Sequence, residues 1–108
     1  MAFNVKQQKG IQVNSTIVNT TTYTILRTDD ILSVAYTTTG AVTITIPTAL
    51  MKEKKTFTIK DAGGDSETNP ITIATEGEET IDGGATYVIN RGYDSITLYS
   101  DGNNWFTI

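Results

Sequence analysis

Twelve acidic side chains, and neither a histidine nor a cysteine, set the limits of the chemistry open to this 108-residue chain. Without an imidazole or a thiol there is no Ser-His-Asp relay, no thiolate nucleophile, no disulfide framework and almost no route to a zinc site. Carboxylates are what remain. Asp61, Asp65 and Glu67 share one loop and offer hard oxygen ligands, but their order does not follow the EF-hand spacing for Ca²⁺, and a solvated Gly-rich turn accounts for them equally well. The pairs Asp61 with Asp82 and Glu79 with Asp101 would imitate a glycosidase dyad only if the fold held them about 5 to 9 Å apart. The sequence assigns no catalytic residue, no metal ligand and no cofactor.

Three further groups carry a possible binding role. Gly63-Gly64 and Gly83-Gly84 precede neither Lys-Ser/Thr nor a helix, so they read as turns and not as phosphate cradles. Lys52, Lys54 and Lys55 form a basic cluster, yet a net charge of -4 opposes the phosphate attraction on which nucleic-acid binding depends. Among Tyr87, Tyr93, Tyr99 and Trp105, Tyr93 stands out because it lies in a turn beside Arg91 and Asp94. Tyr93 with Arg91 is the candidate contact for a glycan, and the other aromatics are expected to fill a core or an interface.

The elements that hold these residues are strands. Threonine and isoleucine are abundant while Leu, Lys and Glu are sparse, a balance that favours pleated strands because β-branched side chains lose rotamer freedom in a helix. A chain of this length supports one domain, and a core this small leaves association with other copies as a natural supplement to stability. The opening Met1 to Lys6 has no apolar h-region and no run approaches the ~20 apolar residues of a membrane span, so the expected site of synthesis is a cytoplasm, with no membrane partner.

Charge and periodicity divide the chain. Residues 1–28 hold Lys6, Lys9 and Arg27 and no acid, whereas the remainder is strongly acidic. In the same stretch Phe3 and Val5, then Ile11, Val13 and Ile17, recur at even spacing among polar residues, the pattern of an extended strand with one apolar face. Residues 1–22 are therefore expected to form a docking arm and residues 23–108 a knob. Within the knob, Val42 to Ile46 alternates and Pro47 ends it, Thr48 to Lys55 allows one helical turn, and Phe57 to Lys60 and Ile71 to Ala74 bracket the Asp61–Pro70 loop. Glu79 to Ile81, Tyr87 to Asn90, Ser95 to Ser100 and Trp105 to Ile108 follow, separated by Gly, Asp and Asn turns. Such spacing predicts an all-β fold of antiparallel sheets, a sandwich or a barrel-like jelly roll, with no internal repeat. The residues expected in its core or interface are Ile44, Ile46, Phe57, Ile59, Ile73, Ile81, Tyr87, Ile96, Leu98 and Trp105. Phe106 places a second aromatic on the opposite face of the last strand, as a subunit contact would.

The second half carries a longer pattern: Thr58-Ile59-Lys60-Asp61, Asn69 before Ile71-Thr72-Ile73, Thr80-Ile81-Asp82-Gly83, Tyr87 and Ile89, Ile96-Thr97-Leu98, and Ser100-Asp101-Gly102-Asn103-Asn104-Trp105. Over Val42 to Ile108 this resembles the β-domain of capsid-decoration, head-fibre and tail-fibre proteins of tailed bacteriophages. The resemblance implies a homotrimer with no enzymatic step, carried on the virion. An arm without a shaft or coiled coil favours the capsid surface over the tail, with the major capsid protein or another virion protein as partner. Phe3, Val5, Lys6, Lys9, Ile11, Val13 and Ile17 are the expected docking residues. A tail-fibre or receptor-binding module for host glycan is the alternative.

Overall fold

The computed structural model describes residues 13–38 and 40–108. They form β1 (Ser15–Val18), β2 (Thr22–Thr24), β3 (Ile31–Val34), β4 (Val42–Ile46), α1 (Thr48–Lys52), β5 (Phe57–Asp61), β6 (Ile71–Thr75), β7 (Thr86–Ile89), β8 (Ser95–Ser100) and β9 (Trp105–Thr107). The fold of the described residues is all-β apart from one five-residue helix, which follows extended Pro47 and buries Leu50 and Met51. Ile81, expected within a strand, makes only isolated bridges to Gly84 and Trp105.

The chain winds as a short coil. Odd-numbered β1, β3 and β5 lie side by side in a five-stranded sheet of order β1-β3-β5-β8-β9, and even-numbered β2, β4 and β6 lie in a four-stranded sheet of order β2-β4-β6-β7. Each turn of the coil contributes one strand to each sheet. Neighbours within a sheet are consequently parallel for β1-β3, β3-β5, β2-β4 and β4-β6. Antiparallel pairing is confined to the closing part, β5-β8, β8-β9 and β6-β7. The expected antiparallel architecture is therefore corrected to two mixed sheets. The physical reason is that each coil strand has one face in the core and one in water, so it alternates apolar and polar residues just as a half-exposed antiparallel strand does. Alternation reports burial and is silent on direction.

No repeat is visible in the sequence because the coils differ in length. Ser15 pairs with Ile31 and Ile31 with Thr58, so the second coil, which includes α1, is longer than the first.

One core fills the space between the sheets, from Val18 in β1 to Trp105 in β9. Ile44, Ile46, Phe57, Ile59, Ile73, Ile81, Ile96, Leu98 and Trp105 are buried, and Tyr87 packs against them half-buried. Trp105 meets the Phe57 ring edge to face, with centroids 5.3 Å apart. Ser15–Val18 lie within the stretch expected to be an arm, yet they pair with β3 and bury Val18.

Candidate functional site

Asp61 ends β5 with its carboxylate turned into the protein, 2% exposed. Its oxygens accept hydrogen bonds from the backbone N–H groups of Gly64 (2.9 Å), Ser66 (3.1 Å) and Tyr93 (3.2 Å). Burial pushes this carboxyl up, but the Ser66 side chain and those three N–H groups outweigh it and hold it below its ordinary value. The result ties the Asp61–Pro70 loop to the Arg91–Asp94 turn. The junction is tight enough that a Cβ on Gly64, whose φ is +73°, would lie 2.3 Å from the Tyr93 ring, and one on Gly92 would lie 2.9 Å from the Gly64 carbonyl oxygen.

Four of the other acids are also hydrogen-bonded within the chain. Asp65 accepts from Asn69 Nδ2 at 2.6 Å, Glu79 from Thr48 Oγ1 at 2.9 Å, Asp82 from the Thr107 N–H at 3.0 Å, and Asp101 from the N–H groups of Asn103 and Asn104 at 2.9 Å each. Glu67 lies exposed in the loop. Among the described residues no group of three acids is gathered as a metal site, and no cavity opens beside any carboxylate. Arrangement of this kind stabilises turns; it leaves no carboxylate pair facing a substrate space.

Asp29, between β2 and β3, is the residue that sequence reasoning missed. It is 3% exposed and accepts from Thr16 Oγ1 (2.6 Å), the Tyr23 hydroxyl (2.7 Å) and the Leu26 N–H (2.8 Å), fastening β1, β2 and the turn after β2 together. Burial, then the hydrogen bond to Asp29 and its charge, push the Tyr23 hydroxyl up to about 12. No local pattern separates Asp29 from its exposed-type neighbours, because its partners are supplied by other strands.

The outer faces of the two sheets differ. On the four-stranded sheet the outward positions are Thr22 and Thr24, Thr43 and Thr45, Thr72 and Ala74, and Thr86 and Val88, aligned across the strands and free of charge. On the five-stranded sheet Ile17 and Ile31 lie toward one edge and Tyr99, Phe106 and Ile108 toward the other, with the Thr58 and Thr97 hydroxyls hydrogen-bonded to each other at 2.9 Å between them. The Tyr99 and Phe106 rings sit 5.6 Å apart, and Ile17 is 69% exposed. Among the described residues Lys60 brings the one charged side chain of this face, and its Nζ is hydrogen-bonded to the Tyr93 carbonyl oxygen. The net charge of the chain is thus carried by loops and ends, and both sheet faces are left nearly neutral.

Of the sequence-derived candidates, Phe3, Val5, Lys6, Lys9 and Ile11 lie outside the described residues. Val13 and Ile17 are exposed, at the entry to β1 and within it. Tyr93 is 63% exposed and Arg91 is exposed beside it, with Tyr93 seated on Gly64. Lys55 of the basic cluster pairs with Asp30 at 3.2 Å, and Arg27 pairs with Glu53 beside it. No protein-family model and no curated protein matches the chain.

Proposed function

We propose that this chain is a structural protein of a tailed-phage virion, a capsid decoration or short head-fibre subunit. It associates with copies of itself and docks through its N-terminal stretch. The observation that carries the reading is the outer face of the five-stranded sheet, where exposed Tyr99 and Ile108 and half-buried Phe106 gather at one edge, exposed Ile17 and half-buried Ile31 lie toward the other, and the charge of Lys60 between them is already hydrogen-bonded. Exposed apolar residues gathered on one face mark a contact surface, whereas singly scattered ones carry no message. The turn grammar that resembles phage β-domains supports the same reading.

Magnitude decides how such a face would be used. Five strands about 4.8 Å apart and about 15 Å long present roughly 350 Å². A stable pairwise interface needs about 800 Å² from each partner, so one face against one copy is too little. Three copies around an axis, assisted by docking to a larger surface, reach stability by mass action, with no chemical step.

Light scattering of the purified chain tests self-association: a mass of three subunits that falls to one in Tyr99→Lys supports the reading, and a monomer at high concentration sinks it. Docking is tested by sedimenting the protein with phage particles that lack it. A truncation beginning at Val13 is expected to stay folded and lose binding.

Tyr93 supports a second reading, a receptor module for host glycan, because its ring is held on Gly64 with 63% of the residue open to solvent beside Arg91. A fixed, exposed aromatic face is what sugar stacking requires. Binding on a glycan array that disappears in Tyr93→Ala would favour this reading over decoration.

A further inference from the structure

Tyr93 is the only aromatic among the described residues with a positive φ, +66°. That region is unfavourable for a bulky side chain, so the surrounding structure has to enforce it. It does so through the backbone on both sides of the ring. The Tyr93 N–H donates to buried Asp61 at 3.2 Å, the Tyr93 carbonyl oxygen accepts from Lys60 Nζ, and the Asp94 N–H closes the turn on the Arg91 carbonyl oxygen at 3.1 Å. Two glycines complete the seat. Gly64 admits the hydroxyl end of the ring, with Cζ and Cε2 coming nearest, and Gly92 lets the turn approach the Gly64 carbonyl oxygen. Burial of the ring does not offset the backbone strain, since the residue is 63% exposed. What the arrangement supplies is an aromatic surface fixed in place before anything binds, which lowers the ordering cost of a contact.

We propose that Tyr93 is the stacking shelf of a shallow site for a neutral pyranose, with Arg91 and Asp94 at its rim. This rests on the glycan reading given above and names the class of sugar. The surroundings of the ring choose between kinds of partner. An anchor for another protein sits at the centre of an apolar patch that is fully desolvated on binding. Tyr93 instead stands alone: none of the other exposed large apolar residues lies in its turn or in the Asp61–Pro70 loop on which it rests. A pyranose matches an isolated ring among polar groups, because it offers a C–H face to the aromatic and hydroxyls around its rim. Charge then selects among sugars. The loop and the turn carry Asp61, Asp65, Glu67 and Asp94 against Arg91 and the adjoining Lys60, and Lys60 is already held by the Tyr93 carbonyl oxygen. An anionic sugar meets that surplus of acid, whereas carboxylates accept hydrogen bonds from the hydroxyls of a neutral one. No cavity adjoins the ring among the described residues, so one face supplies most of the contact and the affinity for a single sugar is roughly millimolar.

The test is an amide chemical-shift titration of the full chain with methyl β-glucoside, methyl β-galactoside and the matching methyl uronides. A densely printed glycan array extends the neutral and acidic arms to further sugars. The expected result is saturable shifts at residues 63–65 and 91–94 with the neutral glycosides, and a response to the uronides that is weaker by about threefold or more. Tyr93→Ala should lose about tenfold or more in affinity, while Tyr93→Phe, which keeps the ring, should bind nearly as wild type. Tyr93→Asn, whose side chain tolerates the same φ, replaces the Ala variant if circular dichroism shows that one to be unfolded. Acidic sugars that bind as tightly as neutral ones overturn the neutral class and leave the glycan reading intact. Binding that persists in the folded Tyr93→Ala or Tyr93→Asn variant, or shifts confined to other residues, overturns the shelf. Silence in the titration and across the array overturns both.

Discussion

Asp61 shows how a residue selected for chemistry can serve architecture instead. Its carboxylate accepts three backbone N–H groups from two loops, so an amide in its place would turn a donor toward one of them. Asp61→Asn is expected to cost about 2 to 3 kcal/mol, read from the urea midpoint at neutral pH. The sign of the pH dependence follows from the direction of the shift. Asp61 sits below its ordinary value, as do Asp82, through the Thr107 side chain and N–H, and Asp101, through the Asn104 and Asn103 N–H groups. Their stabilising effect is complete above the unfolded carboxylate value near ~3.9 and disappears as pH falls through the lower folded values. Wild type should lose stability steeply below about pH 4, and Asp61→Asn less steeply. Tyr23 acts at the other end of the scale. Its hydroxyl is pushed up to about 12, so its contribution is intact below the unfolded value near ~10 and is lost as pH climbs to about 12. Tyrosinate absorbance should show one late-titrating group, absent from Tyr23→Phe, which leaves Asp29 a donor short and costs about 1 kcal/mol.

At the scale of elements, two junctions hold loops and strands that pairing alone would leave loose. In the first, Gly64 meets the Tyr93 ring and Gly92 meets Gly64. Gly64→Ala would place a side chain at positive φ and against the ring, an expected loss of about 2 to 3 kcal/mol. In Tyr93→Ala the steric part vanishes, so the same change should cost only about 1 kcal/mol, a coupling that a double-mutant cycle by thermal unfolding measures. In the second, β1 is joined to the fold by its ladder with β3, by Val18 in the core and by Thr16 on Asp29. Removing residues 1–20 strips β1 and should lower the unfolding midpoint by more than ten degrees, because buried Asp29 loses its Thr16 donor and Val18 leaves the core.

For the molecule as a whole, the decisive property is where charge is absent. If copies associate as proposed, two nearly neutral sheet faces on a chain of net charge -4 make apolar contact the attraction and loop charge the longer-range repulsion. Self-association is therefore expected to strengthen with added salt, which screens the repulsion and leaves the apolar contact intact. Light scattering at low and at physiological ionic strength checks this, and weakening by salt would point instead to charge pairs across the contact.

Much of this was legible from residue order. Every residue expected in the core is buried or half-buried, β4 and β8 have the bounds that alternation and Pro47 predicted, and α1 is the single short helix that its length allowed. Burial of a strand is written in its own alternation, so these features need no partner to be read. Strand direction, the coil, the role of Asp29 and the approach of Tyr93 to Gly64 were not legible. Each depends on which distant segment lies alongside, as when Thr16 reaches Asp29 or Tyr93 meets Asp61, and one-faced strands look alike whether their neighbours run parallel or antiparallel. Local sequence determined what is inside; tertiary structure alone decided what lies next to what, and so which side chains share an outer face.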